Sequence, residues 1–239
     1  KCKKNPLKVL ISSASAKIPL MKALEKAVKK IDNKAKVVAC DLNENVLSAK
    51  IAEEFFIMPA TIDSELDIIL KLLLKHNISI ILPTRDNELM FWSRHKEKLL
   101  KKGITVLVSD TKSLNTCLDK LEFFNFGNKL GLPFIQSSDN LNNLVSEKYV
   151  VKERFGSGSN NIGLNLNYND AVKYAKKLKN PLYQSYIAGD EFSVDAWVCK
   201  NHKVKGLVLR NRLNVINGES QITKTFTNSK IENLMIKIV

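Results

Sequence analysis

Arginine is scarce in this chain. Only five of the 38 basic residues are arginine (Arg85, Arg94, Arg154, Arg210 and Arg212), although the net charge is +14. Arginine is the side chain that forks onto phosphates and reads guanine edges. Lysine carries the charge instead, in groups such as Lys26/Lys29/Lys30 and Lys173/Lys176/Lys177/Lys179. Their spacing fits solvated helix faces. The abundance of Asn and Ile fits a lysine-rich coding bias as a second source of the charge. The expected partner is therefore an anionic small molecule and not a nucleic acid.

Long apolar runs are missing too. None approaches the ~20 residues that span a bilayer, so no membrane partner is expected. The start, KCKKNPLKVLIS, is basic, but its apolar stretch is short and leads into a polar loop, unlike a secretory signal. A cytoplasmic setting is expected. The four cysteines, Cys2, Cys40, Cys117 and Cys199, form no CxxC pair and read as free thiols in a reducing compartment. His76, His95 and His202 lack metal-ligand spacing and read as surface or packing residues. Hydrophobic residues at 44% and charged residues at 26% exclude a disordered or collagenous chain. A length of 239 residues suffices for one or two domains with a core that needs no disulfide or metal.

The first half alternates strands and helices. Lys8–Ile11, Lys36–Asp41, Glu54–Ile57, Ile78–Leu82 and Ile104–Val108 read as strands. Pro19 suits the first turn of the helix through MKALEKAVKKI, and Ser64 reads as an N-cap. The pattern predicts an α/β fold with a doubly wound parallel sheet. Ligands of such sheets bind at the carboxyl ends of strands, here Ser12–Ser15, Asp41–Asn43 and Pro83–Glu88. A dinucleotide loop is absent, because SSASAK after the first strand has no glycine where GxGxxG needs three. Asp41 resembles a ribose-binding acid, but without those glycines the parallel is thin.

From Thr111 the pattern changes. Two helical stretches, TKSLNTCL and KLEFFNFGNKLG, lead to a stop at Gly131–Leu132–Pro133. The rest is rich in strands, with one helix near Asp170–Lys179. The expected boundaries are 1–110 for the α/β domain, 111–187 for a small subdomain, and 188–239 for the start of a larger one. The linker is placed near Ser109–Ser113.

The segment YVVKERFGSGSNNIGL carries the chemistry. A strand sets Lys152 just before a loop of Gly156, Ser157, Gly158 and Ser159. Glycine permits backbone conformations closed to other residues. Such a loop can fold over a polyphosphate with its N–H groups inward, while the lysine adds a point charge. By itself the loop also fits a plain hairpin turn, and the Walker pattern is absent.

Read in order, the motifs are Asp119–Lys120, GLP, VVK, GSGS, QSYIAGDEFSVD, Arg210–Asn211–Arg212 and Gly218–Glu219–Ser220. Together they resemble the ATP-grasp superfamily, most closely its carbamoyl-phosphate-synthase-like branch of carboxylate–amine ligases. ILPTRDNEL in the first half resembles the proline–threonine–acid stretch of the preceding pre-ATP-grasp domain. The resemblance implies an α+β ATP-grasp domain after the α/β domain. It also implies ATP and Mg²⁺ as cofactors, with a small-molecule carboxylate and an amine or other nucleophile as partners; a homodimer is left open. Lys120 and Lys152 would contact phosphates, and Gly156, Ser157, Gly158 and Ser159 would form the flap. Gln184, Tyr186 and Ile187 would face adenine, and Glu191 the ribose. Arg210 and Arg212 would be the catalytic arginines, aimed at the acyl substrate or transferred phosphate. Asp195 is read as structural.

One departure concerns the metal. The family carries a late Glu–x–Asn motif for Mg²⁺, and a hard cation needs oxygen ligands. After Asp195 the acids are Glu219 and Glu232, and neither fits. No metal ligand is assigned, and the expected ligands are placed beyond Val239, with the second domain incomplete.

Overall fold

The computed structural model describes residues 6–158, 161–199, 201, 203–216 and 219–239. The chain divides into two compact units, Lys1–Asn115 and Thr116–Val239.

In the first unit, β1 (Lys8–Ile11), β2 (Lys36–Asp41), β3 (Glu54–Ile57), β4 (Ile80–Leu82) and β5 (Thr105–Val106) alternate with helices. These are α1 (Ile18–Lys29), α2 (Leu47–Ile51), α3 (Leu66–Lys75) and α4 (Asp86–Leu100), and α5 (Thr111–Leu118) crosses the division. The strands pair in parallel in the order β3-β2-β1-β4-β5. Both sheet faces are covered, which is why the strands are almost wholly apolar. Val9, Ile11, Val37 and Ala39 pack with Met21 and Val28 of α1. Leu10, Val38, Cys40 and Ile81 pack on the other face with Ile69, Leu73 and Trp92 of α3 and α4. The strand order reverses between β1 and β4, where ligands of such sheets sit.

Ser64 does not cap a helix. Asp63–Glu65 form a 3-10 turn, and α3 starts at Leu66 without a side-chain cap. The Asp63 carboxylate meets His95 Nε2 at 2.9 Å and Arg94 Nη1 at 3.1 Å. The α2 helix escapes sequence reading, since it is too short to show an apolar period.

The second unit opens with α6 (Lys120–Lys129). Then come β6 (Ser137–Ser138), β7 (Tyr149–Glu153), β8 (Gly163–Leu166), α7 (Tyr168–Ala175) and β9 (Pro181–Ser185). The remainder is β10 (Ser193–Val198), β11 (Val204–Ile216), β12 (Glu219–Phe226) and α8 (Ser229–Ile238). Two antiparallel sheets form, ordered β6-β9-β7-β8 and β10-β11-β12. Side chains alternate across β7. Tyr149 and Val151 pack with Ala171 and Ala175 of α7, and Val150 and Lys152 take the opposite face. The polar stretch SSDNLNN hides β6, whose two paired residues are too few for a pattern.

The architecture is thus the expected one: a doubly wound parallel α/β sheet, then an α+β unit with antiparallel sheets. Among the described residues, no helix is long and apolar enough to cross a membrane. Cys40, Cys117 and Cys199 are free thiols, and burial pushes the Cys40 thiol up. Cys2 and His202 lie outside the described residues.

Candidate functional site

The site is built from the two ends of a return path. Asp119 caps α6, its Oδ1 accepting from Leu121 N at 3.0 Å and Glu122 N at 3.3 Å. The cap sets Lys120 as the first helical residue. The β7 strand returns beside it, and Lys120 N donates to Arg154 O at 3.3 Å. Beyond β7 the chain turns through Gly156 (φ +95°) and Gly158 (φ +81°), in the left-handed region that residues with a Cβ avoid.

These pieces enclose a cavity of about 430 Å³. Its wall includes Lys120, Lys152, Phe155, Gly156, Ser157 and Gly158, joined by Asn161 and Ile162. Two lysines and the glycine loop, all read from sequence as phosphate-handling residues, therefore share one space. Ser159 lies outside the described residues. Phe155, Asn161 and Ile162 were not anticipated, since nothing in their local pattern marks them.

Lys152 has an uncomfortable position. Burial pushes its ammonium pKa down, and the charge of Lys120 pushes it further. No carboxylate among the described residues pairs with it. The neighbouring Glu153 carboxylate is spent on Lys179 N (2.8 Å) and Asn180 N (3.0 Å). A half-buried charge without a counterion is costly, and an anionic ligand in the cavity would relieve it. Lys120 Nζ instead donates to Arg154 O at 3.2 Å and Gly156 O at 2.7 Å.

Gln184 lies on β9 opposite Val150, two residues along from the Lys152–Leu182 pair. By strand alternation Gln184 and Lys152 share a sheet face. The Gln184 Nε2 donates to Ser137 Oγ at 2.7 Å. Strand β9 ends at Ser185, but Tyr186 N still donates to Lys148 O at 2.9 Å. Tyr186, Ile187 and Glu191 are exposed. Arg210 and Arg212 sit two apart on β11 and so share a face. Arg210 is engaged by Asp195 through Nε and through Nη2 at 3.2 Å, which holds its pKa above the usual range. None of Gln184, Tyr186, Ile187, Glu191, Arg210 and Arg212 is in the cavity wall. Gly218 lies outside the described residues.

The first unit has its own smaller cavity, about 120 Å³, at the strand ends singled out from sequence. Ser13, Asp41, Arg85 and Glu88 line it. Both Asp41 oxygens are taken by backbone, Ser15 N at 2.9 Å and Leu42 N at 2.8 Å. The buried Glu88 accepts from Thr84 N, Arg85 N and Trp92 Nε1 at 2.9, 3.1 and 3.0 Å. It ties the loop after β4 to α4.

A family model described as an ATP-grasp domain matches residues 117–239, about half of the chain. The chain belongs to the ATP-grasp superfamily. A second model, described as a PylC-like N-terminal domain, matches residues 9–107 of this ATP-grasp chain. A search of curated proteins returns no match. Solved structures share the fold. The biotin carboxylase domain of 2-oxoglutarate carboxylase from Hydrogenobacter thermophilus, in complex with MgADP, ADP and bicarbonate, superposes with a TM-score of 0.67 at 17% identity. That match covers 98% of this chain and 58% of the other. N5-carboxyaminoimidazole synthetase from Staphylococcus aureus, complexed with ADP, gives 0.63 at 15% identity, covering 97% and 62%. L-amino acid ligase from Bacillus licheniformis gives 0.66 at 15% identity, covering 98% and 59%. The ATP-grasp chain thus spans less than two-thirds of each of these structures.

Proposed function

We propose that this chain works in an ATP-dependent ligase forming carbon–nitrogen bonds. Bound ATP supplies the phosphoryl group that turns a carboxylate into an acyl phosphate, which an amine or similar nucleophile then attacks. The observation that carries the reading is Lys152, a half-buried ammonium without a carboxylate partner, facing Lys120 and a glycine loop across one cavity. ATP-grasp membership and the nucleotide-bound neighbours support it.

The residue roles follow from charge and reach. Lys152 and Lys120 would hold phosphate oxygens by charge-assisted hydrogen bonds. Gly156, Ser157 and Gly158 would offer backbone N–H groups to the same oxygens, with Ser159 assigned to the same flap. Gln184, Tyr186 and Ile187 are proposed at adenine and Glu191 at the ribose; Gln184 shares Lys152's sheet face, and the others follow the end of β9. Arg210 and Arg212 are proposed for the acyl substrate or the transferred phosphate. Arg210 would have to exchange Asp195 for that anion. Mg²⁺ would neutralise phosphate charge. Among the described residues no group of three or more His, Cys, Asp and Glu side chains forms a metal site, so its ligands are not assigned.

The test is ADP release with Mg²⁺ across a panel of amino acids and small carboxylates, beside calorimetry with ATP. Carboxylate-stimulated release is expected. ATP binding without any such stimulation would leave a non-catalytic nucleotide module. No ATP binding would sink both readings.

A further inference from the structure

Arg154 stands at the end of β7, next to the cavity but not in its wall. Its guanidinium is already committed. Nε donates to Asp119 Oδ1 at 2.7 Å and Nη2 to Asp119 Oδ2 at 2.6 Å. Two parallel bonds of this kind fix direction as well as distance. Glu122 and Asp139 add negative charge at 3.8 and 3.9 Å. The Asp119 hydrogen bonds and the surrounding acids hold the guanidinium pKa above its ordinary range, and Arg154 holds the Asp119 carboxyl below its own. Surrounded by acids, Arg154 has no charge to spare for a phosphate.

The partner carboxylate is the same one that caps α6. One side chain therefore joins the helix end that carries Lys120 to the strand end that carries Lys152. Burial pushes the Lys152 ammonium pKa down, and repulsion from Lys120 adds to it. Lys120 Nζ donates to the Arg154 and Gly156 carbonyls, and if Arg154 shifted, the long stem would gain freedom that binding must then take away.

We infer that Asp119 and Arg154 are positioning residues, an ion-paired fork that holds the Lys120 ammonium beside that of Lys152 over one polyphosphate. Neither touches the nucleotide. The inference rests on the nucleotide reading of the cavity.

A four-protein cycle tests it, with ATP affinity at neutral pH as the readout. The proteins are the parent chain, Arg154→Lys, Lys120→Met and the double variant. Lysine keeps the positive charge at 154 but cannot fork. Arg154→Lys is expected to weaken ATP about tenfold, the scale of one charge-assisted bond. In the Lys120→Met background the same change should cost nothing more, because the fork acts through Lys120. A merely structural role would instead add its loss in both backgrounds. Should Arg154→Lys not fold, Asp119→Asn takes its place, since Asn caps a helix as well as Asp but cannot accept both arms. Equal ATP affinity in parent and fork variant, or additive losses, overturns the inference. No ATP binding by the parent would instead strike the nucleotide reading itself, and this inference with it.

Discussion

Lys120 Nζ donates to the Gly156 carbonyl at 2.7 Å, so the first lysine of the site is tied to the loop that faces it. Under the proposed reading, a phosphate would share this ammonium with two backbone carbonyls, those of Arg154 and Gly156. Lys152 has no such tie among the described residues. The two lysines therefore differ in kind: Lys120 is bonded to backbone carbonyls, and Lys152 is half-buried without a carboxylate partner among the described residues. Four predictions come from this arrangement and from packing elsewhere in the chain.

Lys152→Met should separate binding from stability. Loss of its charge-assisted contacts is expected to weaken ATP by roughly 1.5–3 kcal/mol, about ten- to a hundredfold. The melting temperature should hold or rise, because a buried charge is removed. The sign follows from the depressed pKa. A lysine whose folded pKa lies below its unfolded value costs stability below the folded pKa, and that cost vanishes above the unfolded one. The parent should gain on the variant as pH rises toward 10. Unchanged ATP affinity would remove Lys152 from the site.

Gly127→Ala should destabilise the second unit, although alanine is the better helix former by about 1 kcal/mol. Gly127 is buried in α6, and a Cβ there would run into the Phe134 ring. That ring lies tilted against Phe123, with centroids 4.6 Å apart, and the clash reaches its Cγ, so the whole ring must shift to make room. Overpacking of this kind costs roughly 1–3 kcal/mol. Urea unfolding measures it, and Phe134→Leu in the same chain should recover part of the loss.

Glu54→Gln should lower stability at neutral pH and matter less in acid. Burial pushes the Glu54 carboxyl up, but hydrogen bonds and charge from Lys8 (2.6 Å) and His76 (2.9 Å) outweigh it and hold it below the usual range. A depressed carboxylate contributes stability above its unfolded pKa, about 4.3, and loses it as pH falls through the folded value. The loss at pH 7 is expected to be about 1 kcal/mol, since all three groups are partly solvated. A difference from the parent that persisted at pH 3 would mean the residue acts by packing alone.

ATP should bind in preference to single-stranded DNA at physiological salt, despite the charge of +14. Lysines spread over helix faces give weak attraction that salt screens, whereas the cavity gathers Lys120 and Lys152. Calorimetry and salt titration decide the matter. Tight DNA binding with a steep salt slope, and no ATP heat, would reverse the reading.

Much of the fold was legible in the letters, because its central first strands are buried on both faces and so nearly wholly apolar. Strands β1, β2 and β3 have the bounds that their apolar runs mark, and α5 has the bounds of TKSLNTCL. The elements that escaped, α2 and β6, are too short to show a period. The 3-10 turn at Asp63–Glu65 escaped because three residues are too few to show a period.

For the site, sequence alone determined which residues could handle phosphate. A lysine on an apolar strand before a glycine–serine loop is a local pattern with a local cause, the backbone freedom of Gly156 and Gly158. Tertiary structure decided which of them meet. Lys120 reaches the loop because α6 returns beside β7, and Arg154 is withdrawn from phosphate work because Asp119 takes both its arms. Hydrogen bonds and close ion pairs act over a few ångströms. Contacts of that range between residues far apart in the chain are set by packing and strand register, which no window of letters contains.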